Sequence, residues 1–170
     1  AMPGIAPTNA YRCADGGYAL IAGNGDSIFR RLMTLIDRDD LGRDPGLADN
    51  AGRVARAAEG FRQTLAYDAA HEGARQALVG IYVQDRRFDQ AAALLNEGLA
   101  VNPHNLEFAM GLARITVERG DAAGALGVLD RYASTLPLPA DYRAFRAALQ
   151  QRLGRHRDAV EEYRGALAQS

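Results

Sequence analysis

Residues 72–103, EGARQALVGIYVQDRRFDQAAALLNEGLAVNP, decide the fold. Ala74, Ala77, Leu78, Ile81 and Tyr82 recur at three- and four-residue steps, and so do Phe88, Ala91, Leu94, Leu95 and Leu99. Each set draws one apolar stripe along a helix. Between them Gln84-Asp85-Arg86-Arg87 is too polar to extend either stripe and reads as a turn. Asn102-Pro103 ends the second helix, because proline has no N–H for the hydrogen-bond ladder and its ring collides with the preceding turn.

The pair then repeats. Ala91, Ala125 and Ala159 lie 34 residues apart, as do Leu95, Leu129 and Tyr163, and Gly98, Tyr132 and Ala166. Pro103 and Pro137 keep the interval, and so do Gly120 and Gly154; Arg86 stands one period earlier, where a third glycine is expected. The second pair uses Leu112, Ala113 and Ile115, the turn Gly120-Asp121, then Ala125, Val128, Leu129 and Tyr132. Tyr142, Phe145 and Leu149 with Val160, Tyr163 and Leu167 make a third. Backwards, Ala57, Phe61 and Asp68 precede Ala91, Leu95 and Asn102 by the same interval, so 52–68 continues the register as a half repeat. Alanine or glycine at a crossing lets two helix axes approach to about 8–10 Å, where ridges and grooves mesh.

This period, with small residues where helices touch, an aromatic or leucine four positions on and a closing proline, resembles the tetratricopeptide repeat (TPR). The likeness covers Glu72–Ser170 as three pairs and extends to 52–170 with the half repeat. Arg75, Ala109 and Arg143 replace the tryptophan or tyrosine of the repeat's first helix, and Arg146 stands where Leu78 and Leu112 stand earlier. The third pair is therefore expected to be an end cap meeting water. The resemblance implies a mainly α fold, an α-solenoid, whose concave face is lined by the first helix of each pair. Projection puts Gln76, Gln84, Met110, Arg114, Val117, Glu118, Gln151 and Arg152 there, with Gly80, Val83 and Ala148 between them. Met110 and Val117 are its apolar contacts; Arg114 and Arg152 suit carboxylates of a protein or peptide ligand. The lysine clamp that some TPR proteins close on a C-terminal carboxylate is missing, since the chain has no lysine.

The first fifty residues have another texture. Tyr11-Arg12-Cys13 and Tyr18-Ala19-Leu20-Ile21-Ala22 read as strands joined by Ala14-Asp15-Gly16-Gly17, a hairpin turn that needs positive φ. Asn24-Gly25-Asp26-Ser27 supplies capping side chains, and Ile28, Phe29, Leu32, Met33, Leu35 and Ile36 form a helix with a broad apolar face. Asp44-Pro45-Gly46 closes the following turn. The run Ile5–Tyr18, then Ala22-Gly23-Asn24-Gly25-Asp26, Phe29, Leu32 and Arg38–Pro45, resembles the small domain of family III coenzyme A transferases over about residues 3–59. In that family the acyl-bearing aspartate and the cofactor-binding fold lie upstream of this segment, so the likeness implies hairpin and helix but no catalytic residue. Two families meeting inside one helix, near Ala58–Phe61, read as a chimera, made by engineered or selected recombination of natural fragments or by a gene fusion. Two domains are expected, 1–50 and 51–170. A lone hairpin is marginal in water, so residues 1–50 must bury their apolar face on the repeats or on a second copy, giving a homodimer.

Composition narrows the function. Of 170 residues 48% are apolar and 24% charged, ordinary for a globular chain. A net charge of −1 offers no footprint for nucleic acid or an anionic membrane, and no apolar run reaches the roughly 20 residues of a membrane span. Cys13 is the single cysteine, which favours a cytoplasmic site; Ala1-Met2 reads as a cloning remnant. His71, His104 and His156 fall at repeat boundaries without a second ligand at metal spacing. Asp37-Arg38-Asp39-Asp40-Leu41-Gly42 starts like a calcium loop, but Leu41 takes a ligand position and Ala48 stands where the bidentate glutamate belongs. Asn24-Gly25-Asp26-Ser27 lacks the Gly-Lys-Ser/Thr ending of a phosphate cradle. The expectation is a non-enzymatic scaffold without cofactor. The alternative is a degenerate coenzyme A-binding or acyl-transfer protein.

Overall fold

The computed structural model describes residues 8–22, 25–133 and 138–168. They are mainly helical, with nine α-helices and one pair of strands among the described residues. The chain divides into two compact units, Ala1–Arg87 and Phe88–Ser170.

In the first unit β1 (Thr8–Arg12) runs antiparallel to β2 (Tyr18–Ala22), with Arg12 opposite Tyr18. The connection is closed by Cys13 N–H to Gly17 O at 2.8 Å and Gly16 N–H to Cys13 O at 3.1 Å. Gly16 takes φ +86, a conformation that costs glycine nothing and other L-residues about 1–2 kcal/mol. Helix α1 (Asp26–Leu35) sends Phe29 and Met33 into a small core with Leu47, and Leu32 and Leu41 pack around it. The apolar face expected to be broad is split: Ile28, Leu35 and Ile36 are 50%, 81% and 53% exposed. The cap also differs from expectation. Gly25 is the N-cap and no side chain caps it, while Asn24 lies outside the described residues. Asp26 sits instead in the first turn, where the helix dipole favours a carboxylate.

After the short α2 (Asp39–Gly42) comes a 3-10 turn, Pro45–Leu47, and then α3 (Asn50–Tyr67), whose N-cap Asp49 accepts the Gly52 N–H at 2.8 Å. The turn lies directly on this helix: a Cβ on Gly52 would stand 2.0 Å from the Gly46 carbonyl oxygen, so only glycine permits the approach. Arg53 makes the joint. Its buried guanidinium donates to Leu47 O at 3.1 Å and to Asp26 at 2.9 Å, and stacks 4.7 Å from the centre of the Phe29 ring. The division expected after residue 50 therefore falls inside a unit, because α1, the turn and α3 are tied by one α3 side chain. Helix α4 (Glu72–Gln84) packs on α3 and is capped by His71, whose Nδ1 accepts the Ala74 N–H at 3.0 Å. Arg75, in the seat of the repeat's aromatic residue, is buried and donates to Ala69 O at 2.7 Å.

The second unit is α5 (Phe88–Val101), α6 (Leu106–Glu118), α7 (Ala122–Ala133), α8 (Ala140–Arg152) and α9 (His156–Leu167), each packed on the next. Ala91, Ala125 and Leu129 are wholly buried and Leu95 and Ala159 nearly so, which is what the 34-residue register requires of helix contacts. Tyr142 is also wholly buried, its hydroxyl donating to Leu129 O at 2.8 Å. Asn105 caps α6 through the Phe108 N–H at 3.0 Å, one period after His71 caps α4.

Helices α4, α6 and α8 end alike. In α6 the Asp121 N–H reaches Thr116 O and the Gly120 N–H reaches Val117 O; in α8 Arg155 and Gly154 do the same to Gln150 O and Gln151 O. In α4 the pair is Arg87 to Tyr82 O and Arg86 to Val83 O. Such a double bond closes a helix only if the residue after the C-cap is left-handed. Gly120 and Gly154 supply that at φ +85 and +76, and Arg86 is forced into it at φ 57. Pro137, the closing proline of the second period, lies outside the described residues. Arg146 departs from the water-facing cap expected of the third pair: its side chain is 14% exposed, held by Asp130 at 2.7 Å and Glu162 at 2.6 Å.

Candidate peptide-binding face

On α6 the residues Met110, Arg114, Val117 and Glu118 follow steps of four, three and one, so they share a helix face. Arg114 and Glu118 are exposed and Val117 is partly so. Met110 is only 7% exposed, which leaves Val117 as the main apolar contact on this helix. The Arg114 guanidinium stands 5.7 Å from the centre of the Phe145 ring of α8, an arrangement that fixes the cation's direction without neutralising it. On α8, Ala148, Gln151 and Arg152 are exposed on one face. Helices α6 and α8 are successive first helices of pairs, and both pack on α7. Gln76 and Gln84 belong to α4 in the first unit, both exposed. Five of the eight projected residues thus lie exposed or half-exposed on α6 and α8 of one unit, presenting two arginines, a glutamate, a glutamine and a valine.

The first unit holds a feature that projection missed. Between α3 and α4 lies a recess of about 350 Å³, floored by Val54, Ala58 and Ile81 and reached at one end by Gln84. Arg62 and Arg87 stand on its rim. Arg62 donates to the Tyr82 hydroxyl at 3.4 Å and pairs with Glu59, while Arg87 stacks 4.4 Å from the centre of the same tyrosine's ring. A signal was available: counted back one period, the first helix of a pair ending in α3 falls on 38–50, where Gly42, Pro45 and Gly46 cannot all sit inside a helix.

No cluster of three or more histidine, cysteine, aspartate or glutamate side chains suited to a metal occurs among the described residues. Among the same residues no helix is long and apolar enough to cross a membrane.

The sequence profile of CoA-transferase family III matches residues 1–92. The chain belongs to that family. A tetratricopeptide repeat profile matches residues 83–149, so the two matches overlap at 83–92 and one chain joins a transferase segment to TPR repeats. The family III match runs past residue 59, through α3 and α4, which fits the single compact unit those helices form with α1. The succinyl-CoA–D-citramalate CoA-transferase of Chloroflexus aurantiacus is 38% identical over 58 residues, 34% of this chain. The chain spans 14% of that enzyme's length. Among solved structures, MamA shares a TM-score of 0.56 at 17% identity, over 74% of each chain. TTC0263, a thermophilic TPR protein of Thermus thermophilus, shares 0.57 at 20% identity, over 85% of this chain and 81% of that one. At such identities the likeness is one of fold.

Proposed function

We propose that the chain is a non-catalytic scaffold of TPR type whose α6 and α8 bind a protein or peptide, on a transferase-derived segment recombined or engineered onto the repeats. The observation that carries this is the arrangement of Arg114, Val117 and Glu118 on α6 and of Gln151 and Arg152 on α8, exposed or half-exposed on helices that bury Phe108, Ala109, Leu112 and Ala113 and Tyr142, Ala147 and Leu149 on other sides. Two arginines there suit carboxylates of an extended peptide, since guanidinium pairs with carboxylate in a fixed, bidentate geometry. A displayed library of acidic linear peptides panned on the whole chain tests it. Selected peptides are expected to bind with micromolar Kd and to weaken about tenfold in the Arg114→Glu, Arg152→Glu double variant, a loss of about 1.4 kcal/mol. Affinities that this reversal leaves unchanged reject the face.

The exposed Ile28 and Leu35 of α1 and Ile36 just after it, with Tyr18 71% exposed on β2, favour self-association through residues 1–50, because covering about a methylene's worth of apolar surface gains roughly 0.8 kcal/mol. Light scattering on the same samples reads this; a monomer at all concentrations removes the homodimer. The family III match favours a second reading, a degenerate coenzyme A-binding protein. Isothermal titration with coenzyme A and an acyl-CoA separates them: binding at tens of micromolar replaces the scaffold reading for this segment.

A further inference from the structure

We propose that the outer face of α9 is the seat of an acidic amphipathic helix from a protein partner, its apolar stripe on Val160, Tyr163 and Leu167 and its carboxylates on Arg157 and Arg164. Val160, Tyr163 and Leu167 follow steps of three and four along α9 and are 47%, 37% and 75% exposed. Val160 and Tyr163 correspond, one period earlier, to Leu126 and Leu129, and Leu167, two periods earlier, to Leu99; these are 2%, 0% and 4% exposed. On α5 and α7 the following helix lies against this side. Leu95 of α5 is so near α6 that a Cβ on Gly111 would stand 3.3 Å from its Cδ1, and Tyr142 of α8 donates to Leu129 O of α7. The end of a repeat stack ordinarily turns a polar face to water; α9 turns an apolar one.

Charge selects the occupant. At about 100° per residue, Arg157 and Arg164 border the stripe on the side away from the buried Ala159 and Ala166, while Asp158 and Glu161 lie farther round. Both arginines are exposed and make no ion pair among the described residues. Arg157 stands two periods after Asp89 of α5, and Arg164 one period after Asp130 of α7. Each of those aspartates pairs with an arginine of the following helix, Asp89 with Arg119 at the end of α6 and Asp130 with Arg146 of α8. Helix α9 inverts both signs, so the helix that covers it carries carboxylates where α6 and α8 carry arginine. A second copy fits poorly, since two α9 helices laid antiparallel would bring their arginine borders together.

This rests on the scaffold reading but uses a different face, so the two can fail separately. The probe is a fluorescein-labelled peptide of residues 140–154, the helix that follows α7, carrying Arg146→Glu and Leu153→Glu, Leu153 standing one period after Arg119. Its polarisation is titrated with the whole chain. Binding with micromolar Kd is expected, about tenfold tighter than that of the unsubstituted peptide. The Arg157→Glu, Arg164→Glu variant is expected to reverse that order, and Val160→Asp, Leu167→Asp to weaken the acidic peptide about tenfold. The Arg114→Glu, Arg152→Glu variant is expected to bind as the parent does. Should the double aspartate variant fail to fold by circular dichroism, Leu167→Asp alone, at the most exposed of the three positions, takes its place. Absence of binding to the parent chain overturns the proposal, as does binding that the α9 variants leave unchanged or that only the Arg114→Glu, Arg152→Glu variant weakens. A dimer in light scattering that Leu167→Asp dissolves assigns the face to a second copy and overturns it equally.

Discussion

The two units bury arginine to different depths and against different partners. In the first, Arg53 and Arg75 are almost fully buried and donate to carbonyls of irregular segments, Leu47 and Ala69, with Arg53 also paired to the half-exposed Asp26. In the second, Arg143 and Arg146 pair with carboxylates, Asp130 and Glu162, at the edge of the last pair, while the most buried positions are apolar or aromatic, among them Ala91, Ala125, Leu129, Phe108 and Tyr142. The difference follows from how each unit is put together. In a repeat every helix offers the next the same small-residue surface, so packing is renewed each period and no single polar contact is needed to align the parts. The transferase segment has no such redundancy. Its 3-10 turn and its helices meet once, and a buried cation with several fixed acceptors is what sets their register.

Replacing Arg53 by Met keeps much of the volume and removes the donors, and is expected to have the largest effect. Leu47 O loses its charged partner inside the core and the contact with Phe29 loses its cation, while Asp26, about half exposed, can rehydrate. Hydrogen bonds to charged groups contribute about 1.5–3 kcal/mol each, which puts the cost near 3 kcal/mol. Hydrogen exchange read by mass spectrometry is expected to speed up in α1 and α3 and to stay unchanged in α6–α9. Equal acceleration in both units would show that the anchor supports the whole chain, and the contrast between them would fail.

How much of this could be read from residues alone depends on the range of the contact. The helices of the repeats were legible because apolar spacing and a fixed period both mark them, and Gly120 and Gly154 announced their turns. Arg53 and Arg146 were not, because an arginine beside an apolar stripe looks solvated until its partners are placed. Asp26 lies 27 positions before Arg53, while Asp130 and Glu162 lie 16 positions on either side of Arg146. The same limit applies to the candidate face. Its helix positions followed from spacing, but the burial of Met110 is set by packing across helices.

Tyr142 sharpens the comparison from the second unit. Burial pushes its hydroxyl from 10.0 up to about 12. A raised value means that the folded state holds the proton more tightly than the unfolded chain, so this contribution is complete below pH 10 and is lost as pH rises toward 12. Thermal melts are expected to fall between those limits, and phenolate absorbance to show one tyrosine titrating later than the rest. Tyr142→Phe removes both signatures and costs about 1 kcal/mol at neutral pH, by leaving Leu129 O without its donor. A titration with no late tyrosine would mean that water reaches the α7–α8 contact.

The smallest effect is expected where the two units are most alike. All three first helices end in the same doubly bonded turn, but the one in the first unit does so with Arg86 at φ 57 where Gly120 and Gly154 stand later. A left-handed L-residue costs about 1–2 kcal/mol, and glycine gives back about 0.5–1 kcal/mol through the entropy it loses on folding. Arg86→Gly is therefore expected to stabilise the first unit by about 0.5 kcal/mol, and Gly120→Ala to destabilise the second by a similar amount. Paired urea titrations of the two variants measure both signs at once. If Arg86→Gly is neutral or destabilising, the arginine side chain contributes something that its exposed position does not account for, and the equivalence of the three turns, on which the register across residues 72–155 depends, would hold for the backbone but not for its energetics.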